Sequence, residues 1–377
     1  MDMETSLTKN SLFRFLTVVL IPLALVLLVT FRLNGYYQIV FVLFFVNVIL
    51  AAALNLTNGI TGIFSLGAAG FMGLGAYIST LLSLDPELKA VRIPGIPDWL
   101  ANIQLPFPVS LVLAGVVTMA FAALVGFPIL KARGHYLAVI TLGMVIMIKT
   151  LMDNVTTLTN GAKGISGMEK YTTMPVAVGM ALVTLFGLYR IKVSPLGRSM
   201  TALRDDEDAA ASLGISATRI RMFSFLVSAF FCAVGGCLWA HLERSIAPSM
   251  FYFDETFSIL EMSVLGGMAT LSGAIPGAAI LTFVPQVLAN FETGFTLFGL
   301  QVPKINGFSA MVMSVLFILV IIFRKGGVVR DSEYIVESLF SRETYTGLFR
   351  VETYQSFIQS IRQLFKQKTR RKQNESV

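Results

Sequence analysis

"SPLGRSMTALRDDEDAAASLGISATRIRMFSF" (194–225) sets four consecutive acids, Asp205 to Asp208, between Arg204 and the pair Arg219 and Arg221. On either side the chain is strongly apolar, over 174–191 and 222–241. An ionisable side chain at the centre of a bilayer costs at least about 2.5 kcal/mol on insertion scales. The charged segment therefore belongs to an aqueous face, and the runs beside it read as membrane spans. Ala209, Ala210 and Ala211 favour helix. Asp205 or Asp206 can cap that helix, and Glu207 and Asp208 fall in its opening turn, where acids oppose the positive end of the helix dipole. Gly214 supplies a left-handed stop, and Ser216 can cap the next helix. The result is a short amphipathic helix held between two spans, able to pass a push from a cytoplasmic partner to the membrane helices. A solvated loop whose charges set topology alone is the other reading of the same residues.

The whole composition agrees with a membrane setting. The 377 residues are 55% hydrophobic and 14% charged, with mean hydropathy +0.74, whereas a soluble domain carries roughly 25% charged residues. A membrane helix needs about 20 apolar residues. Candidate spans are 12–31, 37–55, 68–84, 109–130, 136–152, 174–191, 222–241, 256–270, 274–291 and 306–323, which predicts an all-α polytopic protein of about ten transmembrane or re-entrant helices. The pair 256–270 and 274–291 reads equally as one re-entrant hairpin. The run 16–31 lacks a signal-peptidase-like site after it and reads as an uncleaved first span. With both termini in the cytoplasm, 20 of the 29 basic residues lie inside and 7 outside, so the orientation is N-in, C-in. The organisation is a cytoplasmic N-terminus over 1–11, a transmembrane domain over 12–323 with a cytoplasmic loop at 192–221, and a cytoplasmic tail over 324–377.

Three stretches depart from simple spans: "NGITGIFSLGAAGFMGLGAY" (58–77), "TNGAKGISGM" (159–168) and "VLGGMATLSGAIPGAA" (264–279). Interrupted helices at membrane depth are tolerated where they face protein or a water-filled cavity, and in transporters they often mark the substrate route. Close helix packing through small residues is the alternative, since Gly67, Gly70 and Gly73 recur every three residues.

"DAAASLG" (208–214) resembles the Glu-Ala-Ala, three residues, Gly pattern of coupling loops in ABC importer permeases, with Asp208 in place of the Glu. In order along the chain, "LNLTNGITGIFSLGAAGFMGLGAY", "GHYLAVITLGMVIMIKTLMDNVTTLTNGAKGISGM", "SPLGRSMTALRDDEDAAASLGI", "FSFLVSAFFCAVGGCLWAHLERSIAPSMF", "VLGGMATLSGAIPGAAIL" and "IIFRKGG" are similar to the LivM-like branch of the branched-chain amino acid permease family, over about 40–327. The resemblance implies a permease subunit that pairs with a second, related permease. Two cytoplasmic ATPase subunits sit below it, and a periplasmic or extracellular binding protein delivers the substrate. Arg204, Asp205, Asp208, Ala209, Ala210 and Gly214 then belong to the ATPase-coupling loop, with Arg204 and Asp205 as charged contacts to the ATPase or as partners within this chain. The chain has no G-x-x-x-x-G-K-[ST] motif and no Gly-Lys dipeptide, so it is not itself an enzyme. It binds no cofactor, and ATP and Mg belong to the partner subunits. The implied location is a prokaryotic plasma membrane, multi-pass.

Residues predicted along the substrate pathway are Ser65, Gly67, Gly70, Thr141, Glu261, Gly266 and Gly267. Glu261 lies mid-span in 256–270, where an acid must face protein or a cavity; it can orient the ammonium of an amino acid or pair with Lys149, which otherwise snorkels outward. Asn47, Asn55 and Ser263 are further polar candidates, each able to bond a neighbouring helix instead. Cys232 and Cys237, five apart, fit as packing thiols rather than a disulfide, and His135 and His241 lie too far apart in sequence to suggest a metal site. In the tail, Val351, Tyr354, Phe357, Ile358, Ile361, Leu364 and Phe365 recur at helical spacing and lead to a basic cluster ending at Lys372. That pattern fits an amphipathic helix on anionic lipid or on an ATPase subunit. The substrates expected are branched-chain amino acids, with urea or short amides as the alternative. An ion-coupled secondary transporter working alone is the competing class. Nucleic acid has no place in any of these readings.

Overall fold

The computed structural model describes residues 35–93, 95–131, 135–292, 295–297, 300–302, 307–324, 326–329 and 333–340. The predicted span 12–31 and the predicted tail helix at 351–365 lie outside them. Two units divide the chain, one comprising 35–332 and the other holding the termini, of which the short helix Tyr334–Phe340 is described.

The first unit is built almost entirely of helix. Helix α1 (Gly35–Leu54) is apolar around its circumference and runs on as a π-helical turn, Asn55–Ile60. After an irregular stretch at 61–67 come α2 (Ala68–Ser83), α3 (Phe107–Ile129), α4 (His135–Asn154) and α5 (Met174–Val193). The charged segment forms α6 (Pro195–Asp205) and α7 (Glu207–Ser212), followed by the 27-residue α8 (Ala217–Glu243). Helices α9 (Phe253–Gly266), α10 (Ala274–Glu292) and α11 (Phe308–Phe323) complete the unit. Among the described residues, five helices are long and apolar enough to cross a membrane: Gly35–Ile60, Phe107–Ile129, Tyr136–Asn154, Met174–Val193 and Ala217–Glu243. Helices α2, α10 and α11 are apolar but shorter in their apolar stretches.

Helix α8 is the centre of the unit and packs on α1, α2 and α3. Its "AVGGC" step permits backbone contact with α2: a Cβ at Gly236 would stand 1.9 Å from the Met72 carbonyl oxygen, and one at Gly75 would stand 2.3 Å from that of Ala233. Cys237 Sγ donates to the Gly75 carbonyl oxygen at 3.3 Å. Both cysteines are free and buried, as their spacing predicts. Helices α3, α4 and α5 turn apolar residues such as Leu124, Val139 and Val183 outward, the pattern of a lipid-facing surface.

The structure adds two features that the sequence does not announce. A two-residue ribbon pairs Ile165 with Ile246 and Ser166 with Ser245, and a hairpin pairs 295–297 with 300–302. Strands of two or three residues carry too little alternation to be read. The stretch predicted as a span at 256–270 is a 14-residue helix, α9, which ends at Gly266. At about 1.5 Å per residue it is about 21 Å long, well short of the roughly 30 Å hydrocarbon layer.

Candidate functional site

The charged loop holds one more helix than its sequence suggests. Ser194 caps α6 by accepting from Gly197 N at 3.4 Å, and Pro195 opens the first turn. "Ser-Pro" is the signal for this start. Asp206 breaks the helix in extended conformation and caps α7, accepting from the Asp208 and Ala209 amides at 2.9 Å each. Gly214, at φ +80°, closes α7, and Ile215 N returns to the Ala210 carbonyl oxygen at 3.1 Å. Ser216 stands at the cap position of α8 without a side-chain cap bond.

The loop charges pair mostly with each other. Arg204 donates twice to Asp205 Oδ1, at 3.0 and 2.9 Å, and Arg221 meets Glu207 Oε2 at 2.7 Å. Within this chain, then, Arg204 and Asp205 are partners of one another. Ala210 points inward and is buried, whereas Asp208, Ala209 and Ala211 face out. Leu213 is 80% exposed at the tip of the loop, a large aliphatic side chain that the sequence reading overlooked in favour of its charges.

The inner side of the loop is fastened to the membrane helices. Arg204 Nη1 donates to the Gly59 carbonyl oxygen at 3.2 Å, and the arginine stem lies on Gly62, which has φ +76°. Gly59 in turn lies directly on the break between α9 and α10, where a Cβ would come within 1.6 Å of the Met268 carbonyl oxygen. Four residues before it, buried Asn55 donates to the Thr270 carbonyl oxygen at 2.7 Å and to that of Gly267 at 3.4 Å, and its Oδ1 accepts from Ser263 Oγ. Gly267, at φ +120°, leaves a Cβ no room, with the Val329 carbonyl oxygen 2.3 Å from where it would sit. Gly266 packs equally tightly on Gly273. The glycines at 266 and 267 thus serve a real break in the helix, and Asn55 supplies the hydrogen bonds that the broken backbone lacks.

Ser65, Gly67 and Thr141 come together around the irregular stretch 61–67. Asn58 and Ser65 exchange two bonds at 3.0 Å, and Ser65 Oγ accepts from Gly67 N at 3.3 Å. Thr141 Oγ1 accepts from Leu66 N at 2.9 Å, which ties this stretch to α4. Gly67 faces Met144, and Gly70 faces Ile148. At these positions the every-third-residue glycines form a packing face against α4, while the backbone before them is held open by side-chain bonds. Asn58 carries much of that work, and the sequence reading did not single it out.

Glu261 is half-buried on α9 and has no hydrogen-bond or ion-pair partner among the described residues. The pairing with Lys149 does not form; Lys149 meets Asp153 on its own helix at 2.6 Å. The alternatives weighed for Asn47 and Asn55 resolve toward helix-to-helix bonding, with Asn47 donating to Thr282 Oγ1 at 2.9 Å. On the short helix Pro86–Arg92, between α2 and α3, Lys89 is fully buried and bonds the carbonyl oxygens of Leu100 (3.4 Å) and Ile103, and burial holds its pKa below the ordinary value of 10.5.

The family described as branched-chain amino acid transport system / permease component matches residues 36–323. The high-affinity branched-chain amino acid transport system permease protein LivM of Salmonella typhimurium is 30% identical, over 75% of this chain and 67% of its own length. LivH of the same kind of system in Escherichia coli is 22% identical, over 62% of this chain and 78% of its own. The autoinducer 2 import system permease protein LsrC of an Enterobacter species is 31% identical over 36% of this chain and 44% of its own length. No solved structure matches significantly. The chain belongs to the branched-chain amino acid transport permease family and is an integral membrane protein related to transport permeases rather than to enzymes.

Proposed function

We propose that this chain is one permease subunit of an ATP-driven importer of branched-chain amino acids in a prokaryotic plasma membrane. The similarity to LivM and LivH supports the substrate class and the pairing with a second, related permease. About ten spanning or re-entrant helices, with both termini inside, fit the bias of basic residues toward one face. Two ATPase subunits with their ATP and Mg dock on the loop 192–221, and an extracytoplasmic binding protein delivers the substrate. The segment 324–377 is a cytoplasmic tail on lipid or on an ATPase subunit.

The observation that carries this reading is the fastening of α6, which leads into α7, to the π-helical turn beside the helix break. Leu213, Asp208 and Ala209 are exposed and available to a partner, while Arg204, at the end of α6, reaches Gly59. Closure of the ATPase pair pushes α7. The push travels through Arg204 to the π-helical turn and from there to the break at Gly266 and Gly267. Ser65, Gly67, Gly70, Thr141 and Glu261 lie along or beside the route so opened. A rigid, capped loop transmits displacement where a floppy one absorbs it.

Affinity purification from native membranes followed by mass spectrometry tests the assembly. ATPase subunits and a second permease of the same family should accompany the chain. A chain recovered alone, in a detergent that preserves other ABC complexes, would move the reading to an ion-coupled carrier.

A further inference from the structure

Lys149 and Asp153 lie in the last turns of α4, each about one-quarter to one-third exposed, with Nζ and Oδ2 2.6 Å apart. As a helix brace the pair is wrongly placed. An acid at a helix C-terminus opposes the dipole, and the order with the acid first is the more stabilising one. A partly desolvated ion pair also adds little net stability. An ammonium has three donors and a carboxylate about four acceptor sites, and among the described residues the pair uses one of each.

The surroundings supply the rest of a binding site. Lys149 Nζ lies 5.7 Å from the centre of the Tyr252 ring. Phe251, next in the chain, is buried against Met152 and Gly73, with Trp239 at 5.5 Å and Tyr77 at 6.3 Å between ring centres. The Tyr77 hydroxyl is buried with no hydrogen-bond partner among the described residues. Opposite charges and the Tyr252 ring, with an apolar aromatic cluster packed behind it, thus stand at the C-terminal end of α4, the extracytoplasmic end in the orientation proposed above.

We infer that Lys149 and Asp153 form an exchange site for a zwitterionic α-amino acid, on the reading that the chain imports amino acids. The pair opens, the substrate carboxylate takes Lys149, its ammonium takes Asp153, and its aliphatic side chain lies on the Tyr252 ring, which Phe251 backs from the core. The exchange keeps the site neutral. A neutral zwitterion replaces the pair without changing the net charge of this partly exposed site, whereas an amine or a carboxylic acid alone leaves one charge without its partner and is disfavoured. Between turnovers the two side chains satisfy each other, so the empty site holds no isolated charge.

The test uses the complete complex with its binding protein in proteoliposomes, and reads leucine taken up per ATP hydrolysed. Lys149→Met and Asp153→Asn should each lower that ratio by about tenfold, the value of one well-placed charged hydrogen bond. ATP hydrolysis and co-purification of the subunits should stay unchanged. The double variant Lys149→Asp with Asp153→Lys keeps an ion pair but reverses it, and its ratio should stay low. Restoration of wild-type coupling by the reversed pair, or wild-type coupling in both single variants, overturns the site while leaving the transport reading intact. A wild-type complex that takes up no amino acid removes that reading and the site with it.

Discussion

Asn55 is the single side chain on which most of the proposed mechanism turns. Its amide satisfies two carbonyl groups and one hydroxyl in the break between α9 and α10. Replacement by leucine fills similar space and leaves those groups buried without partners, at a cost of about 1–3 kcal/mol for an orphaned group. Asn55→Leu should lower the thermal midpoint of the purified complex and abolish uptake; unchanged melting and transport would show that the break needs no such support. Lys89 makes a second test by pH. Burial lowers its pKa in the fold, so the fold holds this proton less tightly than the unfolded chain does. The cost is therefore present in full below the folded-state pKa, and it fades as pH rises toward the ordinary lysine value of 10.5. The change in melting temperature caused by Lys89→Met should accordingly differ between neutral pH and pH near 10.5, with wild type gaining on the variant as pH rises. A constant difference would contradict the assignment.

At the scale of elements, the charged loop was legible because its signals are local. Four acids, three alanines and Gly214 dictate cap, helix and stop within ten residues, and the structure places cap and stop at Asp206 and Gly214. The packing partner of the loop was not legible. The bond from Arg204 to Gly59 joins residues 145 positions apart, and no periodicity encodes it. Exposure of Leu213 was equally hidden, since a leucine beside alanines reads as the buried face of a helix. Two substitutions separate the two sides of the loop. Leu213→Asp should weaken retention of the ATPase subunits, because an exposed aliphatic side chain contributes to an interface only through burial. Arg204→Ala should leave the ATPase subunits bound and hydrolysing while uptake per ATP falls by about tenfold. An Arg204→Ala complex that transports with normal coupling would break the proposed linkage from α6 to Gly59.

For the molecule as a whole, hydropathy located the helices well, since most of the predicted spans from 37 onward coincide with observed helices to within a few residues. What hydropathy could not supply was their geometry. The run 256–270 has the composition of a span but stops at Gly266, because backbone conformation at Gly267 and packing against 326–329 decide its length. Likewise the sequence shows Gly59 and Gly62 as part of an interrupted helix, but not the distant neighbours, Met268 and Arg204, that pack on them. In the proposed mechanism, external ATPase subunits working through this loop drive amino acid movement across the membrane. Its most direct test is leucine uptake by the purified complex with its binding protein in proteoliposomes, energised in turn by enclosed ATP and by an imposed sodium or proton gradient. Accumulation with ATP alone, lost on omitting the ATPase subunits, is the result expected. Accumulation driven by an ion gradient without those subunits would contradict the account.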